Sequence, residues 1–144
     1  MPFQPNAAFA EMARGDQGAL EFLRAFYLYA HNLDDLIDQD KKPAAAFSIW
    51  SHMALLAEVA ANPFFQKHRD FLLPVVWMSA LAFVASEDRK NGADVLERIT
   101  AQVLKSEYVN VFLAVCFCIG GFEHALAMSR KYREYHFDAE PVKL

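Results

Sequence analysis

The chain has 144 residues, of which 55% are hydrophobic, and a formal net charge of −4 at pH 7. A chain of this length and apolar content is expected to form one domain with a substantial core, which excludes a disordered protein. The acidic balance and the lack of a long basic run argue against a nucleic-acid partner, because phosphate binding depends on clustered Lys and Arg.

The beginning of the chain lacks the basic start and apolar run of a signal peptide. Cys116 and Cys118 lie two positions apart in an apolar segment, a spacing unsuited to an intrahelical disulfide. We interpret them as small buried hydrophobic residues of a protein in a reducing compartment, and we expect a cytoplasmic location.

Two uncharged segments, residues 71–86 and 108–122, raise the question of membrane insertion. Both are shorter than the ~20 apolar residues that cross a bilayer as a helix. We therefore predict that they are central helices of a bundle and that the chain has no membrane span.

The first half of the chain carries the boundary signals of helices. A short amphipathic helix is predicted over residues 5–14. Asp16 is a candidate N-cap for a long helix over residues 17 to about 38. Pro43 suits the first turn of a further helix that ends near residue 61.

The second half continues the same pattern. Asn62, followed by proline, predicts a short helix, Asp70 is a candidate cap of the next long helix, and a further helix is predicted to begin at Asp94 and to end near residue 105. The glycine pair at positions 120 and 121 marks a kink or a close helix crossing in the last helix. A loose tail is expected over residues 138–144. The sequence therefore predicts a single all-α domain over residues 1–144, a compact bundle of about five or six helices.

The most specific feature is a polar stripe near the C-terminal end of the second predicted helix. Residues three, four and seven positions apart share one helical face. The stripe consists of His31, Asp34, Asp35 and Asp38. Because like charges at this spacing repel, the stripe costs helix stability unless a cation neutralises it. The alternative is a solvated helix end at which the aspartates face water.

The residues Asp34-Asp35-Leu36-Ile37-Asp38 fit the pattern DDxxD. This motif resembles the first metal motif of the all-helical isoprenoid synthases. The resemblance implies that Asp34, Asp35 and Asp38 hold Mg²⁺ against a substrate diphosphate, with the metal neutralising the leaving group. Members of that family are longer and carry a second acidic motif that has no counterpart here, so full prenyl transfer is not expected.

Two further pairs are candidates for chemistry. Glu123 and His124 follow an apolar run and are candidate catalytic residues with shifted pKa values; the alternative is a core histidine beside a surface glutamate. Arg130 and Lys131, with His31, are candidate substrate-binding residues that could clamp a phosphate. For the two cations, the alternative is the ordinary preference for positive charge at a helix C-terminus.

Two hypotheses of function remain open from the sequence. The first is a Mg²⁺-dependent protein that binds or acts on a phosphorylated small molecule containing a diphosphate. The second is a non-enzymatic helical interaction module or structural protein, a homodimer or other homo-oligomer. The first requires the aspartates to line a cavity with polar groups from another helix, whereas the second predicts an exposed apolar surface.

Overall fold

A computed structural model describes residues 3–38 and 45–141 of the chain, with only the backbone described for residues 36–38 and 45–48. Eight α-helices and one 3₁₀ turn account for most of this part of the chain. Six of the helices have nine residues or more. The elements are α1 Pro5–Ala13, α2 Gln17–Asp38, α3 Ala45–Ala61, α4 Pro63–Lys67, α5 Arg69–Glu87, α6 Val95–Lys105, the 3₁₀ turn Ser106–Tyr108, α7 Val109–Tyr132 and α8 Tyr135–Ala139. The predicted all-α bundle is confirmed.

Side-chain caps account for three of the helix starts. The Asp16 carboxylate accepts from the backbone N–H of Ala19 at 2.9 Å, in the first turn of α2. Asn62 accepts from the third residue of α4 in the same way, and Asp94 accepts from the second residue of α6. Each bond satisfies an N–H that has no partner within its own helix. The residue before Pro43 and Pro43 itself lie outside the described residues.

The start of α5 and the end of the described chain differ from the sequence prediction. Helix α5 begins at Arg69, so Asp70 lies within its first turn rather than at its N-cap. Residues 138 and 139, expected in a loose tail, belong to α8, and Glu140 follows directly. A short helix forms there because its aromatic residues pack on the bundle, as described below.

Helix α7 is kinked at the predicted glycine pair. Gly121 has φ 71° and ψ −160°, a conformation essentially restricted to glycine. A Cβ atom built on Gly120 would approach the Cβ of His124 to 2.5 Å. The two glycines therefore permit, respectively, the bend and the close packing that accompanies it.

An aromatic cluster forms the centre of the core. Phe112 of α7 is fully buried and contacts Phe9 of α1 and Phe26 of α2, with ring centroids 5.2 Å and 6.0 Å apart. Both contacts are edge-to-face, the favourable arrangement of aromatic quadrupoles. The high phenylalanine content of the sequence is thus used to join α1, α2 and α7.

The two cysteines are free. Cys116 is buried, and burial raises the pKa of its thiol to about 12. Cys118 is half-buried, and burial raises its pKa as well. Neither side chain has the lowered pKa of a reactive thiol.

A large apolar surface is left uncovered on α3 and α5. The exposed apolar side chains of these two helices are Ile49, Trp50, Met53, Leu56, Phe71, Leu73, Trp77, Met78, Leu81 and Val84. Scattered exposed apolar residues are ordinary in proteins, but here they are concentrated on two helices.

Two helical stretches, Arg69–Glu87 and Val95–Ala139, are long and apolar enough to cross a membrane by length and composition. Mostly buried core helices of soluble proteins meet the same criterion, but only 17% and 39% of the most apolar parts of these two stretches are buried, so α5 is not the central helix that the sequence predicted. Length and composition alone are weak evidence for membrane spans.

Candidate functional site

A cavity of about 410 Å³ opens between α2, α5, the end of α6, the 3₁₀ turn and α8. Its walls are mainly aromatic and aliphatic, and a group of polar side chains lies at one part of the lining. The apolar wall includes Phe3, Phe26, Tyr27, Tyr29, Val76 and Phe83. The volume is within the range of small-molecule pockets, roughly 300–1,000 Å³.

The acidic helix α2 contributes one of its aspartates to this cavity. Tyr27, Ala30 and Asp34 are three, four and seven positions apart, so they lie on one face of α2, and all three line the cavity. His31 also lines it. Asp35, one position further, is half-buried but is not part of the lining. The side chain of Asp38 lies outside the described residues.

Lys105, the last residue of α6, is the cation that faces Asp34. Its Nζ lies 3.1 Å from Asp34 Oδ1 and 3.0 Å from Glu140 Oε2. Burial alone would lower the pKa of Lys105, but the hydrogen bonds and charges of Glu140 and Asp34 outweigh it and hold the pKa above its ordinary value. The lysine therefore stays charged and joins α2, α6 and the residue after α8.

A chain of hydrogen bonds runs along the neighbouring wall. The Tyr135 hydroxyl donates to the Tyr108 hydroxyl oxygen at 2.7 Å, and the Tyr108 oxygen lies 3.2 Å from His136 Nδ1. His136 Nε2 lies 3.1 Å from Gln102 Oε1. Each side chain in this series of hydrogen bonds donates one proton to the next only if His136 is neutral and carries its proton on Nε2.

Burial sets the protonation states of Tyr108, Tyr135 and His136. It lowers the pKa of His136 to about 4 and raises the pKa of Tyr108 to about 12. Burial also raises the pKa of Tyr135, and the adjacent Tyr108 raises it further. All three side chains are therefore neutral near pH 7, in agreement with the neutral His136 that the hydrogen bonds require.

Phe3 covers part of the cavity from the other end of the chain. Its ring is stacked on that of Tyr135 at a centroid distance of 3.9 Å and contacts Tyr132 edge-to-face at 5.9 Å. The segment before α1 thus completes the wall that α8 begins.

The predicted catalytic pair lies elsewhere. His124 is buried and its Nε2 lies 2.8 Å from the carbonyl oxygen of Met12, near the C-terminal end of α1. Glu123 is exposed. Neither side chain lines the cavity, so they do not face the acidic helix across it. His124 instead satisfies a helix-end carbonyl, because α1 can offer that oxygen no further N–H.

The predicted phosphate clamp is also separate from the cavity. Lys131 is exposed and contacts Glu11 of α1 at 2.7 Å, and the Tyr132 hydroxyl donates to the same carboxylate at 3.2 Å. Arg130 is exposed on α7. Of the three residues predicted to bind substrate, only His31 lines the cavity.

No group of three or more His, Cys, Asp or Glu side chains within the described residues is arranged to hold a metal ion. Asp34 Oδ1 instead lies 3.1 Å from Lys105 Nζ. The described residues alone therefore present no Mg²⁺ site, and the side chain of Asp38, the third aspartate of the motif, lies outside them.

Sequence reasoning missed most of the polar residues of the cavity, namely Lys105, Tyr108, Tyr135, His136 and Glu140. One available signal was the sequence Tyr135-His136-Phe137, since three successive ring side chains are unusual in a solvated tail. Lys105 gave no signal, because a lysine in the last turn of a helix is expected from the helix dipole alone.

No family model, no curated protein and no solved structure matches this chain. The function of the cavity must therefore be argued from its own residues.

Proposed function

We propose that the chain binds a small molecule in the cavity, with an apolar body against the aromatic walls and a polar group beside Asp34, Lys105 and Glu140. The observation that carries the proposal is the combination of a cavity of about 410 Å³ with polar groups from three separate elements at one part of its lining. Binding pockets have this composition: mostly apolar, with a few polar groups that orient the ligand.

The acidic helix fits this proposal because it contributes Asp34 and His31 to the lining. The specific form suggested by the sequence is a Mg²⁺-dependent site for a diphosphate. In that form Asp34, Asp35 and Asp38 would bind Mg²⁺, and the metal would have to displace Lys105 from Asp34. This makes Lys105 the residue whose removal should strengthen Mg²⁺ binding if the metal hypothesis holds.

The test uses compounds that share one phenylpropyl body and carry neutral, cationic or diphosphate head groups. We expect at least one to bind by isothermal titration calorimetry, with diphosphate measured with and without Mg²⁺. Ala80→Phe adds a side chain to the α5 wall and should weaken binding by about tenfold or more, a change of about 1.4 kcal/mol.

Ala127→Phe is the matched control, since Ala127 is exposed on α7 and does not line the cavity. It should leave the affinity unchanged. If no compound of the series binds, or if both variants weaken binding equally, the proposal is wrong.

A second candidate function is self-association, and the exposed apolar residues of α5 and α3 favour it. Trp77 is 68% exposed, Leu81 63% and Trp50 72%. An interface of standard size buries about 800 Å² per partner, and Trp and Met are enriched in such surfaces. An isologous dimer would cover the α5 face of both copies at once.

Sedimentation velocity of the wild type and of Leu81→Glu tests the dimer. We expect a dimer that dissociates in the variant, because two charges would meet across a two-fold interface. Phe122→Glu is the matched control, since Phe122 is 65% exposed on α7, away from α5 in sequence. A wild-type monomer contradicts self-association, and a chain that sediments only with lipid vesicles would indicate a membrane surface instead.

A further inference from the structure

We propose that the cavity selects an organic cation, an amine or quaternary ammonium with an apolar body. The inference rests on the proposed function, since it names the ligand class of the same cavity. Two independent observations support it: the balance of charges among the described lining residues, and the aromatic side chains that line the same cavity.

Carboxylates outnumber cations among the described lining residues. Asp34, Asp138 and Glu140 stand against a single lysine, Lys105. His136 adds no positive charge near pH 7, because burial lowers its pKa to about 4. Even with His31 protonated, the described lining residues carry an excess of negative charge. These residues therefore favour the entry of a cation over that of an anion.

The charge of Lys105 is already balanced. Its Nζ contacts Asp34 at 3.1 Å and Glu140 at 3.0 Å. An anion that approached the ammonium group would come close to both carboxylates as well, and both would repel it. Lys105 is thus a poor anchor for a phosphate, although it is the only lysine among the described lining residues.

The aromatic lining offers the second contribution. Tyr27, Tyr29, Tyr108 and Phe83 line the cavity that contains these carboxylates. The face of an aromatic ring attracts a cation within about 6 Å, and this attraction strengthens when water is excluded. Rings of this kind together with carboxylates discriminate for an alkylammonium over a neutral body of the same shape.

The experiment compares three ligands with the same phenylpropyl body: a trimethylammonium head, its uncharged tert-butyl analogue, and a diphosphate head with and without Mg²⁺. Isothermal titration calorimetry of the wild type should give about tenfold or greater preference for the ammonium over the tert-butyl compound. The diphosphate should bind more weakly than both.

Two variants that change the charge of the lining should shift the affinity for the ammonium compound in opposite directions. Glu140→Gln removes a carboxylate and should weaken the ammonium compound severalfold, with less effect on the tert-butyl compound. Lys105→Met removes the competing cation and should strengthen ammonium binding. Glu123→Gln, an exposed carboxylate away from the cavity, should change nothing. Each variant is first required to keep a cooperative thermal transition.

The outcomes separate the inference from the proposed function. If the diphosphate binds in the cavity and the ammonium does not, the cation inference is overturned while small-molecule binding stands. Equal affinities for the ammonium and tert-butyl compounds would also overturn it, since charge would then play no part. If none of the three binds, both proposals are overturned.

Discussion

Asp34 Oδ1 of α2 and Lys105 Nζ of α6 lie 3.1 Å apart, and both side chains are 17% exposed. The pair connects the acidic helix to the rest of the cavity lining. The repulsion expected along the acidic stripe is therefore relieved at Asp34 by a lysine distant in sequence.

Removing this lysine should destabilise the fold. Lys105→Ala leaves Asp34 and Glu140 close together without the cation between them, and we expect a loss of about 1–2 kcal/mol, less than for a fully buried pair. Urea unfolding near pH 7 measures it. Lys67→Ala is the control, because Lys67 is exposed in the last turn of the short helix α4 and surface substitutions usually change stability by about 0.5 kcal/mol or less. Equal losses in the two variants would contradict the prediction.

The buried His136 predicts a dependence of stability on pH. Its folded pKa of about 4 is below the ordinary value of 6.5, so the unfolded chain binds the proton more tightly. Stability is thus fully present above about pH 6.5 and is lost as the pH falls toward 4, by up to about 3 kcal/mol. Urea unfolding of the wild type and of His136→Gln over this range isolates the contribution. The wild type should lose more than the variant as the pH falls, and parallel curves would sink the idea.

The hydrogen bond of His124 predicts a structural role for that residue. His124→Leu replaces the imidazole by an apolar side chain of similar size and leaves the Met12 carbonyl oxygen without its partner. We therefore expect the free energy of unfolding to fall by about 1–3 kcal/mol. Denaturant unfolding measures it, and Glu123→Gln, next to it on the surface, should stay within about 0.5 kcal/mol of the wild type. Ligand binding in the cavity should survive in His124→Leu; its loss would return His124 to the list of site residues.

The kink in α7 predicts a cost for any side chain at Gly121. A Cβ at this position would meet no atom within 4 Å, so the cost comes from the backbone alone. At φ 71° and ψ −160° it should be about 1–3 kcal/mol for Gly121→Ala. Thermal unfolding compares it with Ala127→Ser, an exposed change on the same helix. A stabilised Gly121→Ala would mean that α7 straightens without penalty.

The features that the sequence predicted correctly depend on contacts between residues that are close together in the chain. Asp16, Asn62 and Asp94 cap their helices through bonds to residues two or three positions ahead, so the signal and its effect share one short segment. The kink at Gly121 likewise arises from the backbone conformation of a single residue. Most of the helices and their approximate bounds were therefore predictable without knowledge of the fold, whereas α8 was not.

The cavity was not predictable because its polar residues meet only through tertiary packing. Asp34, Lys105 and Glu140 come from three separate parts of the chain, and no spacing rule connects them. His124 illustrates the reverse case. Its apolar surroundings indicated a buried polar group, and it is buried, but its partner is a backbone carbonyl that no sequence motif could identify.

The stacking of Phe3 on Tyr135 brings residues near opposite ends of the described chain into one wall. During synthesis on the ribosome, the cavity cannot be complete until α8 has emerged and met the segment before α1. A ligand that needs this wall can therefore contribute nothing to the early folding of α2 to α6. It can act only late in folding, by stabilising chains in which the segment before α1 already packs against α8.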